Sequence, residues 1–253
     1  VIPARFGSSR LPGKPLLDLG GQPVVVRVAE QARRSSAARV IVATDDDRIE
    51  AACTARGIEV VRTAATHETG TDRLAEVAAR LDLPADRVVV NVQGDEPFLP
   101  PEAIDRVAGL LVAHPQAALA TLCHPIHAVA EVANPNVVKV VLSGQGEAIY
   151  FSRAPIPWAR DAWRDGIMAL PADLPIHRHI GLYAYRAHFL RAFPGLARPA
   201  IERHESLEQL RALWHGYRIV CEVIDAPLPP GIDTPEDYAA ALSRFSVPDP
   251  RAP

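Results

Sequence analysis

The stretch Val88-Val89-Val90-Asn91-Val92-Gln93-Gly94-Asp95-Glu96-Pro97 decides the fold class. Its first five residues are a β-branched run broken by one amide, and they lead straight into a loop of one glycine and two acids. A short apolar run bounded by turn residues is the pattern of a buried strand, covered on both faces as in a parallel sheet between helices. Working outward, strands over 40–43, 58–61 and 119–122 alternate with helices over 46–56, 72–81 and about 102–113. That alternation implies βαβ units, right-handed crossovers and an α/β fold, a three-layer sandwich around a mostly parallel sheet. Ligands in such folds lie beyond the carboxyl ends of the strands. Gln93, Gly94, Asp95 and Glu96 stand at such an end.

Near Pro125 the pattern changes. Strands over 137–142 and 148–152 lead into a Pro/Trp-rich stretch, Pro155 to Trp163, and a polar, proline-rich loop to Pro175. A strand over 177–185 and a helix over 206–215 follow. A strand over 218–223 and a helix from Pro235 to about Leu242 complete the pattern. The expected organisation is a core over 1–125, a smaller mixed α/β lobe over 126–217, and a return to the core over 218–253.

Composition narrows the function. The 253 residues carry 27 basic and 30 acidic side chains, a net charge of −3. A duplex-binding protein shows a basic excess, so nucleic acid is not the expected partner. The longest apolar runs fall far short of the roughly 20 residues that span a membrane, so no membrane contact is expected. Cys53, Cys123 and Cys221 are far apart, odd in number and in no CxxC spacing. They read as buried thiols of a reducing compartment.

Three loops carry chemistry. The first, from Pro3 to Pro15, follows the first strand directly. Residues 1–17 hold Arg5, Arg10 and Lys14 and no acid, a local charge of +3. Gly7 and Gly13 let backbone N–H groups approach an anion closely. The segment is either a solvated basic loop or a cradle for a triphosphate. It is not a P-loop, because five residues instead of four separate Gly7 from Gly13, and Pro15 stands where Ser or Thr is needed. No GxGxxG occurs, so a dinucleotide-binding oxidoreductase lacks its fingerprint. In the second loop Asp95 is a hard oxygen donor suited to Mg²⁺ beside phosphates, or else a plain loop acid. In the third, Gly231-Ile232-Asp233-Thr234-Pro235-Glu236-Asp237, Thr234 serves as N-cap, Pro235 as N1 and Asp237 completes a capping box. Asp233 is thereby left available, and two carboxylates on different loops could hold a metal between them.

Other positions are read from periodicity. Along the strand over 177–185, His177, His179, Gly181, Tyr183 and Tyr185 share one face. His177 and His179 alone are weak evidence for a metal. On the helix over 206–215, Leu207, Leu210 and Leu213 form the core stripe and leave Glu208 and Gln209 off it, on a solvated face or at a ligand. Asp45, Asp46 and Asp47 read as capping charge at a helix N-terminus.

PARFGSSRLPGKPL, HETGTDR, VNVQGDEP, NPNVVKVV, YFSRAPIPW, RHIGLYAYR, LEQLRALW and GIDTPEDY follow one another along nearly the whole chain. In this order the sequence resembles the 3-deoxy-manno-octulosonate (Kdo) cytidylyltransferase family, the CMP-Kdo synthetases. The opening loop is also similar to that of CMP-sialic acid synthetases, while RHIGLYAYR and LEQLRALW favour the Kdo enzymes. The resemblance implies a nucleotide-diphospho-sugar transferase-like fold and the reaction of CTP with Kdo to give CMP-Kdo and diphosphate, for lipopolysaccharide synthesis. It implies catalytic roles for Arg10, Lys14 and Asp95. Ala4, Arg5, Arg10, Lys14, Gly70, Thr71, Arg73 and Asp95 would bind the nucleotide, and Gln93, Arg153, His179, Tyr183, Glu208 and Gln209 the sugar. Asp95 and Asp233 would be the Mg²⁺ ligands. A homodimer and a cytoplasmic location are expected. The competing readings are a cytidylyltransferase for an amino-Kdo or a sialic acid, and a non-catalytic nucleotide-binding regulator.

Overall fold

Parallel pairing organises the N-terminal strands. In the computed structural model, which describes residues 1–7 and 11–246, β1 (Ile2–Ala4), β2 (Ile41–Thr44) and β3 (Glu59–Arg62) form a parallel sheet in that order. Ile2 pairs with Val42, and Ala43 with Val61. Every residue of β2 is buried, which is why this strand is apolar throughout rather than alternating. The crossovers are α1 (Val24–Ala32) and α2 (Asp47–Thr54); α3 (Gly70–Arg80) leads on to β4 (Val88–Asn91). Just past β4, the Val92 N–H donates to the Val1 carbonyl at 3.1 Å, so the end of β4 runs beside β1.

The described residues form two compact units. One contains Val1–Pro84, Val89–Arg106 and the chain from Leu228 on; the other contains Ala85–Val88 and Val107–Pro227. The first also holds α9 (Pro235–Ser246) and the start of α4 (Pro101–Ala113). Within the second, the strands lie in the order β7 (Ala148–Ser152), β6 (Lys139–Leu142), β8 (His177–Arg186), β5 (Leu119–Pro125) and β9 (Ile219–Val223). Here the pairing is antiparallel except between β5 and β9. The wholly parallel sheet thus lies in the first unit, and the second unit adds the parallel pair β5–β9 within a mixed sheet. The divisions also fall at 106 and 227 rather than at 125 and 217. β5 and β9 sit in the second unit because they hydrogen-bond to each other and β5 to β8.

Helices whose ends carry side-chain caps fall within a few residues of their expected places. Asp46 caps α2 by accepting from the N–H groups of Arg48 and Ile49. Thr69 caps α3, and Thr234 and Asp237 form the expected reciprocal box at α9, at 3.2 and 2.9 Å. α1 was not legible as a helix, because Val-Val-Val-Arg-Val is β-branched and has no side-chain cap. Burial of Val24, Val25, Val28 and Ala29 overrides the intrinsic preference. The short helices α5 (Val129–Ala133), α6 (Ala187–Ala192) and α7 (Ala200–Glu205) also escaped the reading, and α8 (Gln209–Trp214) begins three residues later than expected.

The second unit contains a fully buried lysine. The Lys139 ammonium donates to the carbonyls of Asn134, Val137 and Arg153 at 3.1, 2.6 and 2.6 Å, which spends all three of its protons. Burial pushes its pKa down. A separate cluster of Ile126, Val132, Val137, Trp163 and Ile176 fills the space under the proline-rich loop, and the Trp163 indole N–H donates to Ala169. The three cysteines are buried and free, and no helix among the described residues is long and apolar enough to cross a membrane.

The capping of α2 is testable. The Arg48 guanidinium, together with the two backbone N–H donors, holds the Asp46 carboxyl down to about 2. A depressed carboxyl contributes stability that is complete above its unfolded pKa of 3.8 and is lost as the pH falls through about 2. Asp46→Ala is expected to cost about 1 kcal/mol at neutral pH. Urea unfolding from pH 7 to pH 2 would show the difference between the proteins shrinking below pH 4.

Candidate active site

The carboxyl ends of β1 and β4 meet through one glycine. A Cβ on Gly94 would stand 2.8 Å from the Pro3 carbonyl oxygen, so only glycine lets the Gln93–Glu96 loop lie against β1. The loop before α9 is laid on the same segment. The Ile232 N–H donates to the Asp95 carbonyl at 2.8 Å, and a Cβ on Gly231 would come within 3.2 Å of that oxygen. These backbone contacts, all within the first unit, bring Asp95 and Asp233 to one place.

Lys14 arrives from the basic loop. Gly13 adopts a left-handed conformation with φ of 68° and starts a 3₁₀ turn over Lys14–Leu16. Its N–H donates to the Phe6 carbonyl at 3.3 Å, which closes the loop. The Lys14 ammonium then donates to Asp95 Oδ2 at 2.6 Å and to Asp233 Oδ1 at 3.0 Å. Burial works against its charge, but the hydrogen bonds and charges of the two carboxylates outweigh it and raise its pKa. Glu96, missed as a candidate although it stands in the same motif, adds a third carboxyl. Burial, then the charges of Asp95 and Asp233, push it up to about 8. Its Oε2 is buried with no hydrogen-bond partner among the described residues.

This arrangement fits a cation. Lys14 already occupies the position between two carboxylates, and Mg²⁺ is commonly held through one or two carboxylates together with substrate phosphates. No group of three or more His, Cys, Asp or Glu side chains among the described residues is arranged to hold a metal unaided. Asp95 and Asp233 are the pair that could hold one.

The remaining nucleotide candidates divide. Arg5 is exposed and Ala4 buried at the end of β1. Arg10 lies outside the described residues. Gly70 opens α3 near Pro3: a Cβ added there would stand 3.5 Å from the proline ring, an ordinary contact distance. The preceding loop is anchored by His67 Nε2, 2.5 Å from Glu76 Oε2. Thr71 and Arg73 are buried. Arg73 is ion-paired to Asp45 at 3.1 Å and donates to the Thr63 hydroxyl, so it ties α3 to the ends of β2 and β3. Its guanidinium supports the loop rather than standing ready for a base. Asn91, at the end of β4, was not singled out; its buried Oδ1 has no partner among the described residues. The amide interrupting a valine run was the signal.

Within the second unit, His179, Tyr183 and Tyr185 do share one side of β8. The His179 and Tyr183 ring centroids are 5.2 Å apart and those of Tyr183 and Tyr185 5.7 Å. Phe151 meets the His179 ring edge-on at 4.9 Å. Burial, then the neighbouring Tyr185, pushes the Tyr183 phenol well up, and the Glu208 charge adds to it. The Gln209 Nε2 is buried without a partner among the described residues. Arg153, expected to bind the sugar, donates to the backbone carbonyls of Glu205 and Pro135 at 2.6 and 2.8 Å. Gln93 is half-buried in the loop after β4.

A solved structure of CMP:2-keto-3-deoxy-manno-octonic acid synthetase complexed with CTP is 41% identical to this chain. It aligns over 97% of this chain and 96% of that one with a TM-score of 0.87. The parallel three-stranded sheet and the mixed sheet match that fold. A cytidylyltransferase from Leptospira borgpetersenii serovar Hardjo-bovis (strain JB197) shares the fold at 18% identity, with a TM-score of 0.61 over 97% of this chain and 84% of that one. The sequence model of the cytidylyltransferase family matches residues 1–219, and the chain belongs to that family of nucleotidyltransferase enzymes.

Proposed function

We propose that the protein activates Kdo, converting CTP and Kdo to CMP-Kdo and diphosphate. The observation that carries this reading is the convergence of Lys14, Asp95 and Asp233 at the carboxyl ends of the strands in a chain 41% identical to a CMP-Kdo synthetase. In the reaction the anomeric hydroxyl of the sugar attacks the α-phosphorus of CTP. The new O–P bond forms as the bond to the β-phosphate oxygen breaks, and the hydroxyl proton is lost to solvent. Such chemistry rests on positioning and charge rather than on covalent help from the protein.

Lys14 and Arg10 would neutralise the triphosphate and the departing diphosphate, with Arg5 and the backbone at Ala4 and Gly70 seating the nucleotide. Asp95 and Asp233 would hold Mg²⁺, which when bound lowers the pKa of the attacking hydroxyl and offsets repulsion between two anionic substrates. Gln93, His179, Tyr183, Glu208 and Gln209 would contact the sugar. A homodimer, a cytoplasmic location and supply of lipopolysaccharide synthesis complete the reading. The free buried thiols and the need for CTP support the location.

Diphosphate release should require CTP, Mg²⁺ and Kdo together. Release with a sialic acid or an amino-Kdo but not with Kdo would move the substrate to that acid. CTP binding with no release from any sugar acid would make the protein a regulator. Treatment with EDTA should abolish release and added Mg²⁺ restore it. Asp95→Asn is expected to lower kcat about a hundredfold or more at saturating Mg²⁺. Lys14→Met should raise the KM for CTP about tenfold or more, the loss of one charge-assisted contact. Near-normal turnover of Asp95→Asn would remove the carboxylate from the mechanism.

A further inference from the structure

β8 breaks register beside β5. Thr121 pairs with Tyr183, but the next residue, Leu122, pairs with Ile180. Gly181 and Leu182 are left over, and such a bulge takes backbone groups out of the ladder. Thr121, wholly buried, fills the gap. Its Oγ1 lies 2.9 Å from both the Ile180 and the Leu182 carbonyl oxygens and 3.1 Å from Nε2 of His179.

A hydroxyl has one proton and two lone pairs. The two carbonyls can only accept, so the Thr121 proton goes to them. The oxygen is then free to accept, and the group at 3.1 Å must donate. This places the imidazole hydrogen on Nε2. The opposite choice would direct the one proton at the ring and leave the Thr121 oxygen facing both carbonyl oxygens at 2.9 Å with no proton between them. The ring is held in place by Phe151 and Tyr183, and the His179 backbone N–H is tied to the Val138 carbonyl at 2.8 Å. Burial keeps the imidazole neutral by lowering its pKa to about 3.

We propose that Thr121 is a positioning residue that fixes His179 as its Nε2–H tautomer, so that the ring offers Nδ1 as a hydrogen-bond acceptor. His179 therefore receives a hydroxyl of the sugar acid and does not pair with its carboxylate, which can only accept. The second statement rests on the reading of His179 as a sugar contact; the first does not.

Long-range ¹⁵N–¹H spectra of the full chain labelled at histidine test the tautomer without substrate. The expected result is a protonated Nε2 and a bare Nδ1 for His179. Thr121→Ser should leave this pattern intact. Thr121→Val should move hydrogen to Nδ1 and raise the KM for the sugar about tenfold, with the KM for CTP unchanged and kcat within about twofold. A protonated Nδ1 in the wild-type protein, or an unchanged pattern in Thr121→Val, overturns the assignment. If Thr121→Val does not fold, the wild-type and Thr121→Ser spectra decide it. A changed tautomer with an unmoved sugar KM overturns the hydroxyl contact. Failure of the wild-type protein to release diphosphate with any sugar acid overturns the proposed function and leaves the spectroscopic answer standing.

Discussion

Two carboxylates brought to one point repel, and like charges about 4 Å apart cost about 4 kcal/mol at a partly screened site. A chain that assembles Asp95 and Asp233 must therefore supply positive charge there. Lys14 does so with two hydrogen bonds, at 2.6 and 3.0 Å. Much of the first unit's loop structure follows from that requirement. Gly94 lets the Asp95 loop press on β1, Gly231 lets the Asp233 loop press on the Asp95 loop, and left-handed Gly13 turns Lys14 toward both. Glu96, the third carboxyl, is pushed up to about 8 first by its burial and then by the charges of Asp95 and Asp233.

What could be read from the sequence was what short-range chemistry specifies. Asp46 before α2 and the Thr234–Asp237 box before α9 are local hydrogen-bond patterns, and both are present. The shared face of His179, Tyr183 and Tyr185 follows from the strand period and survives because the bulge adds two residues, which preserves parity. What was not legible depends on distant partners. Val24 to Val28 forms a helix because of what it packs against. The domain boundaries moved because β9 returns to pair with β5, which periodicity cannot reveal. Nothing near Arg73 in sequence announces that Asp45 and Thr63 will meet its guanidinium.

Several cations of this acidic chain are consumed by its own backbone and acids. Lys139 satisfies three carbonyls, Arg153 the carbonyls of Pro135 and Glu205, and Arg73 an aspartate. All three lie in segments that also carry the family resemblance. A motif therefore mixes residues that touch a ligand with residues that hold the first kind in place, and residue type alone does not separate them. Burial and hydrogen-bond partners do. They leave Lys14, whose present partners are the two candidate metal ligands, in a different class from Arg73 and Lys139.

The first unit is assembled from segments far apart in the chain, and this has a consequence for synthesis. A nascent chain emerges N-terminus first and its domains fold as they appear. Lys14 and Asp95 are made early, but Asp233 follows only after Val107–Pro227, nearly all of the second unit, has been translated. Until then the ammonium has one carboxylate instead of two, and the Asp95 carbonyl lacks the Ile232 N–H. A ribosome-bound intermediate can thus hold the parallel sheet before the Asp233 loop covers the Asp95 loop. The contact between Lys14 and Asp233 and the hydrogen bond from Ile232 to Asp95 are completed last, when the returning segment docks on a scaffold already made.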